Sequence, residues 1–281
     1  MWIEPVSTAI TAAELVSEVT KSSTLIRKHA KRLLYRVRNG KAVIPIFGAG
    51  GVGKTTVSKL VVGEDPLSIT APYEESATVE TRKLKGDVPG QILAAPGQLT
   101  RVRFHWPTLF QKLTIGESFG LINVVANGYH SIRLASYKDH EVYQSGMTAA
   151  DFAKAYSEAR RAIELELLDT LIGGLSAVTK PIWIVMLVNK QDLWWRDQKA
   201  VRKHYENGEY SARVAKLESA LGSRSFNHEL LPVSFAMTNL GSDDGDLFAK
   251  TNAGYDLPTH LRYLQSMFTC LQALLEGGRR R

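Results

Sequence analysis

The sequence predicts an α/β fold: a mainly parallel sheet held between layers of helices, a three-layer sandwich, preceded by a helical extension. Three observations carry this. From Ala42 onward, apolar runs of strand length alternate with helical stretches, the pattern of parallel strands joined by crossover helices. A glycine-rich loop, Gly48 to Gly53, separates the first apolar run from a helix. A polar tetrapeptide, Asn189-Lys190-Gln191-Asp192, follows a later run directly.

The elements follow in order. Residues 11–38 carry Ala12, Val16, Val19, Ile26, Ala30, Leu33 and Val37 at helical spacing, with Arg27, Lys28, Lys31, Arg32, Arg36 and Arg38 opposite, so they predict a basic amphipathic helix. Lys21-Ser22-Ser23-Thr24 is poor helix and is expected to divide it. Asn39-Gly40 ends it. The apolar face suits packing on the domain. The seven-residue steps of Ala12, Val19, Ile26 and Leu33 suit a coiled coil, and the basic face suits anionic lipid.

Strands are expected at Val43–Phe47, Val79–Leu84, Gln91–Ala95, Leu121–Ala126, Ile182–Val188 and Leu230–Phe235. Helices are expected at Thr55–Val62, Ala149–Leu175, Ser211–Leu221 and Pro258–Leu275. Pro45 is a misfit, since a central strand loses a backbone N–H there. Leu193-Trp194-Trp195 reads as packing on the next helix, with a partner anchor as the alternative. The domain boundaries are residues 1–41 for the extension, 42–278 for the α/β domain with an insertion at about 131–148, and 279–281 for a basic tail.

The chain has 281 residues, 44% hydrophobic and 22% charged, which excludes wholesale disorder. Its charge of +7 is concentrated at the two ends, leaving the central domain near neutral and arguing against a nucleic-acid-binding core. No apolar run reaches membrane-spanning length. The N-terminus has no secretory pattern, and a lone cysteine, Cys270, fits a reducing compartment. A cytoplasmic protein is expected. The histidines show no metal-ligand spacing, and no zinc site is expected.

Gly48-Ala49-Gly50-Gly51-Val52-Gly53-Lys54-Thr55 fits GxxxxGK[ST] in full. Glycines let backbone N–H groups turn toward phosphate oxygens, and the helix that follows through Thr56 adds its dipole. Lys54 is placed to reach the outer phosphates, and the Thr55 hydroxyl to ligate Mg²⁺. The loop predicts a nucleoside triphosphate site. In Asn189–Asp192, a carboxylate can accept from the guanine ring N–H and exocyclic amine together, donors that adenine does not offer.

On these residues the chain resembles the Ras-like small GTPases over about 42–276. Val233-Ser234-Phe235-Ala236 is similar to their last guanine-contacting loop, and the resemblance implies contacts from Ser234 and Phe235. It also implies that Asp192 reads the base while Asn189 and Lys190 hold and stack it. Tyr73–Glu80 resembles their first switch, with Thr78 as the second Mg²⁺ ligand. Ala94-Ala95-Pro96-Gly97-Gln98 departs from Asp-x-x-Gly-Gln. Gly97 would meet the γ-phosphate and Gln98 would orient the attacking water, but Ala94 replaces the aspartate on the Mg²⁺ side. Bacterial cell-polarity GTPases of the MglA type show a similar small residue before Pro-Gly-Gln.

The resemblance implies a nucleotide-dependent switch that binds GTP and GDP with Mg²⁺ and hydrolyses GTP slowly. A protein effector or activating partner would meet the switch loops and the N-terminal helix. Arg82, Arg101 and Arg103 lie near the switches, but nothing separates them from surface arginines. A non-hydrolysing guanine-nucleotide module and an ATP-driven switch are the alternatives. The ParA/MinD and NB-ARC ATPase groups share the phosphate loop only in part: the first needs lysine at Ala49, the second a strand ending in paired aspartates.

Overall fold

Strand β1 (Val43–Gly48) lies at the centre of the sheet, and all its residues are buried. The computed structural model describes residues 17, 19–28, 30, 43–64, 80–83, 91–115, 120–132, 134–222, 226–242, 245, 247–249 and 254–277. Thr78, Tyr73–Val79, most of the basic extension and the arginine tail lie outside the described residues.

Around β1 the sheet is completed by β2 (Glu80–Lys83), β3 (Gln91–Ala94), β4 (Gly120–Val125), β5 (Ile182–Val188) and β6 (Phe226–Pro232). The order is β2-β3-β1-β4-β5-β6. β2 runs antiparallel to β3, and every other pairing is parallel. Residues 19–28 form a helical segment, α1. It is followed by α2 (Lys54–Val61), α3 (Leu99–Thr114), α4 (Ala149–Leu175), the single turn α5 (Gln191–Trp194), α6 (Gln198–Asn207), α7 (Glu209–Leu221) and α8 (Leu257–Gly277). The mainly parallel sheet flanked by helices is the architecture expected. None of these helices is long and apolar enough to cross a membrane.

Pro45 fits the sheet for a positional reason. The Ile46 carbonyl accepts from the Ala95 N–H at 2.9 Å, so residue 46 faces β3 and Pro45 faces β4. The ladder with β4 starts only at Ile46, opposite Ile122. The missing N–H therefore stands just ahead of that ladder.

Helix α1 runs unbroken through 21–24. The Ser23 and Thr24 hydroxyls both donate to the Thr20 carbonyl, at 3.1 and 2.8 Å, so they are satisfied inside the helix rather than ending it. Ser22, Ile26 and Ala30 are buried, while Arg27 and Lys28 are exposed. Val19, Ile26 and Ala30 pack against the same apolar cluster as β1. Two members of the heptad set are thus already used against the domain.

Helix α3 lies where the sequence pattern gives no helix. Val102, Trp106, Leu109 and Leu113 are buried along one face, while Pro107 interrupts the helical reading and Phe104 is 80% exposed. Pro107 sits on the exposed side, where it costs one backbone bond and leaves the buried stripe intact. The Phe47 ring meets Trp106 edge-on at 4.8 Å and stacks on Phe110 at 5.5 Å. Burial of the Phe47 and Trp106 rings contributes roughly 1.5–3 kcal/mol each. This fastens α3 to the centre of the sheet.

Strand β6 begins four residues earlier than expected and ends at Pro232. Asn227, His228 and Glu229 are polar because β6 is an edge of the sheet with an exposed alternation. Ser234 and Phe235 therefore stand in the loop after the strand.

The insertion at 131–148 contains one turn of 3-10 helix, Tyr137–Asp139. Tyr137, Val142 and Tyr143 pack with Phe152, Tyr156 and Phe248 in a second apolar cluster. This joins the insertion to the start of α4 and to a small hairpin, β7 (Leu240–Gly241) with β8 (Leu247–Ala249). A capping box between Thr148 and Asp151 starts α4.

Candidate functional site

The site lies at the C-terminal ends of the parallel strands β1, β3, β4 and β5 with the loop after β6, where open α/β sheets bind ligands. Gly48 ends β1, and Ala49 to Gly53 form the turn into α2. Lys54, Thr55 and Thr56 open that helix. Lys54 is buried, and its Nζ donates to the Ala49 carbonyl at 2.6 Å, folded over its own loop. The turn sets a glycine-rich backbone and one cation at the start of a helix, an arrangement that suits an anion.

Gly97 rests directly on this loop. The Gly50 N–H donates to the Gly97 carbonyl at 3.1 Å. A Cβ at Gly97 would lie 2.3 Å from the Ala49 carbonyl carbon and Gly48 oxygen and 2.5 Å from the Lys54 Nζ. Only glycine allows that approach. The Trp106 indole N–H donates to the Pro96 carbonyl at 3.0 Å, so α3 holds the turn from behind. Gln98 is half-buried and is the N-cap of α3, its carbonyl accepting from Arg101 and Val102 N–H groups. Ala94, where the family pattern has aspartate, ends β3 and is buried.

Asn189, Lys190 and Asp192 follow β5 and are all buried. The Asn189 amide donates to the Val52 carbonyl at 2.7 Å, and its Oδ1 accepts from the Phe235 N–H at 3.0 Å. One side chain thus joins the phosphate loop, the β5 loop and the β6 loop. Asp192 accepts from the Ser234 hydroxyl and from the Thr238 N–H. Burial pushes its carboxyl up to about 6, against the pull of Ser234. Burial likewise lowers the Lys190 ammonium to about 7, with Asp192 opposing the shift. These two opposite charges sit where desolvation outweighs their mutual attraction.

Phe235 contributes its N–H to Asn189, and its ring is buried in the main core. Trp194 and Trp195 are buried too: the Trp194 indole donates to the Asn189 carbonyl at 2.9 Å, and Trp195 packs edge-on against Tyr255. Trp194 thus supports the Asn189–Asp192 turn directly, and Trp195 backs Tyr255, whose hydroxyl donates to Gln191 at 3.4 Å. Arg103 is exposed on α3, and Arg101 half-buried. Among the described residues, no group of three His, Cys, Asp or Glu side chains could hold a metal.

Two contributors had no signal in the sequence pattern. Ser131 donates its N–H to the Gly51 carbonyl at 3.0 Å and its hydroxyl accepts from the Lys190 Nζ at 2.8 Å. Glu164, on α4, is buried beneath the loop that carries Ser131. Ser131 opens the insertion and Glu164 lies within a long amphipathic helix, so neither belongs to a short motif.

No protein-family model matches the chain, and no curated protein matches it. Among solved structures, the chain is similar to an ADP-ribosylation-factor-like GTP-binding protein, the small COPII coat GTPase SAR1 from Encephalitozoon cuniculi, in complex with GDP. That likeness has 16% identity over 92% of this chain and 94% of the other, with a TM-score of 0.39. A structure of the mammalian SRP receptor shares 14% identity over 82% of this chain and 99% of that one, at a TM-score of 0.43. A structure of the chloroplast translocon components atToc33 and psToc159 shares 11% over 92% and 93%, at a TM-score of 0.44.

Proposed function

We propose that this protein is a cytoplasmic guanine-nucleotide-binding switch of the P-loop GTPase kind that hydrolyses GTP to GDP and phosphate at a low intrinsic rate. The observation that carries the reading is the bond from Asn189 to Val52. It brings a carboxylate suited to guanine, Asp192, into one site with a phosphate-binding loop. Adenine has no donor pair to match that carboxylate, and a buried acceptor left unpaired is costly.

In this mechanism, the amides of Gly51 to Lys54 and the Lys54 ammonium neutralise charge on the outer phosphates. Asp192 orients the base, with Asn189 and Ser234 fixing its carboxylate and its loop. Lys190 covers the base. Gly97 presents its N–H to the γ-phosphate, and Gln98 orients the water for in-line attack. Thr55 and Thr78 would hold Mg²⁺ carried in with the nucleotide, and the ion would supply positive charge against the phosphates. Thr55, in the first turn of α2 beside Lys54, offers one hydroxyl oxygen, which suits an ion that binds through few protein oxygens and keeps several waters. Ala94 removes one outer carboxylate, as in the MglA-type pattern, which would weaken the hold on Mg²⁺ and is one ground for proposing a low rate.

The γ-phosphate would order the segments around Thr78 and Gly97, and a protein partner would read or accelerate that state. The buried methyl of Ala94 also supports a second reading, a guanine-nucleotide module that does not turn over. Titration with fluorescent GTP, GDP and ATP in Mg²⁺, with phosphate release followed in the same tubes, tests both. Guanine-selective binding with release supports the switch. Selective binding without release supports the module, and equal ATP binding overturns the guanine reading.

A further inference from the structure

Glu164 is a carboxylate in the middle of α4 whose side chain is 0% exposed. Its Oε1 accepts from the Ala126 N–H at 2.8 Å and the Gly128 N–H at 3.1 Å, and meets the His130 Nε2 at 2.9 Å. Its Oε2 accepts from the Tyr205 hydroxyl at 2.6 Å, and that hydroxyl accepts from the Asn127 N–H at 3.0 Å. The Tyr156 hydroxyl adds a bond to the His130 carbonyl at 3.0 Å. Residues 126, 127, 128 and 130 of the loop after β4 are thus held from α4, directly or through Tyr205. Burial works to raise the Glu164 carboxyl, but the bonds from His130, Tyr205 and Ala126 outweigh it and hold it below its ordinary value. An ionised buried carboxylate is tolerated only when its acceptor sites are filled.

The loop needs that hold. Asn127 has φ +48° and Gly128 φ +77°, a left-handed pair that turns the chain sharply back. Its next residues arrive at the nucleotide loops. Ser131 bonds to the Gly51 carbonyl and receives the Lys190 Nζ. The fit is close: a Cβ on Gly51, itself at φ +75°, would lie 2.5 Å from the Ser131 carbonyl oxygen. Ser131 therefore bridges the phosphate loop and the base-covering lysine, and its location is fixed by a loop whose N–H groups converge on Glu164.

We propose that Glu164 is a positioning residue for the bound nucleotide, acting through loop 126–130 to set Ser131 between Gly51 and Lys190. This rests on the nucleotide-binding reading above. A carboxylate that merely stabilises the fold and one that positions the site make different predictions for the rate of nucleotide release.

The experiment compares wild type with Glu164→Gln, Ser131→Ala and their double variant. Two readouts are taken: release of fluorescent GDP and ADP, and hydrogen exchange at the Ser131 amide in nucleotide-free protein. If Glu164→Gln fails to fold, Tyr205→Phe takes its place, since it removes the hydroxyl between Oε2 and Asn127. The expected result is nucleotide release at least about tenfold faster in Glu164→Gln and about threefold faster in Ser131→Ala. The double variant is expected to be no faster than Glu164→Gln alone, because Ser131 acts downstream of it. Ser131 exchange rises in Glu164→Gln while amides of β5 keep their protection.

A lowered unfolding temperature with unchanged release and unchanged Ser131 exchange overturns the proposal. So do release rates that multiply independently in the double variant. If wild type prefers ADP, the guanine reading fails, but ADP release still tests Glu164. If it binds neither nucleotide, the positioning proposal falls with the reading it rests on, and the exchange data then show whether Glu164 holds the loop.

Discussion

The Asn189 side-chain amide donates to the Val52 carbonyl at 2.7 Å across 137 residues of sequence. The same side chain accepts from Phe235. Three loops from three strands therefore share one buried side chain. Asn189→Ala leaves the Val52 carbonyl and the Phe235 N–H without those partners, at about 1–3 kcal/mol for each group left unsatisfied. The expected outcome is release of GDP faster by about ten- to a hundredfold. Stopped-flow release of a fluorescent GDP measures it, and an unchanged rate removes Asn189 from the site.

The Asp192 carboxyl gives the site a pH dependence. Burial raises it to about 6, above the roughly 3.9 of an unfolded aspartate. The folded chain therefore keeps a proton between about pH 4 and 6 that the unfolded chain has lost, so this group's contribution to stability falls as pH rises across that window. Guanine binding runs the opposite way, since two donors need the ionised carboxylate. GDP affinity is expected to weaken by about tenfold per unit below pH 6. Titrations from pH 5 to 8 read this directly, and a flat profile contradicts the role of Asp192. Asp192→Asn is expected to lose GDP binding; unchanged affinity supports the ATP-driven alternative.

Gly97→Ala tests the contact between the Pro96-Gly97 turn and the phosphate loop. The new methyl meets backbone at 2.3 Å on Ala49 and Gly48, which neither can yield without moving the loop. Overpacking of this type costs about 1–3 kcal/mol. Denaturant unfolding is expected to show that loss, and phosphate release is expected to stop because the Gly97 N–H no longer approaches the γ-phosphate. A variant as stable and active as wild type would show that the turn is free to leave the loop.

Much of this was legible in the sequence because short-range rules governed it. The Ala149–Leu175 helix and the Ile182–Val188 strand have the bounds their apolar patterns gave. The spacing from Gly48 to Thr55 marked the strand-loop-helix turn around β1. Elements set by tertiary context were not legible. Helix α3 carries Pro107 on an exposed face, and α6 buries only Val201 and Tyr205, too few positions to make a period. Glu164 and Ser131 depend on a turn at Asn127-Gly128 that brings distant helices together, and no spacing rule reports that. Thr78 lies outside the described residues.

Gln98 is the residue on which the distinction between a switch that turns over and a module that only binds depends. It follows the Gly97 contact directly, and its place is fixed by the Trp106 bond to Pro96 and by the start of α3. Gln98→Leu keeps the size and the helix start but removes the amide that would hold a water. Nucleotide binding is expected to persist, because the phosphate loop and Asp192 would hold the nucleotide through their own groups. Phosphate release is expected to fall by about a hundredfold, at the low end of what a positioned proton-transfer or water-orienting group supplies. Single-turnover measurement with GTP separates the two effects, since binding and release are read in one trace. A rate equal to wild type would mean that the water is placed by another group, and the mechanism through Gln98 would fall while guanine recognition by Asp192 stood.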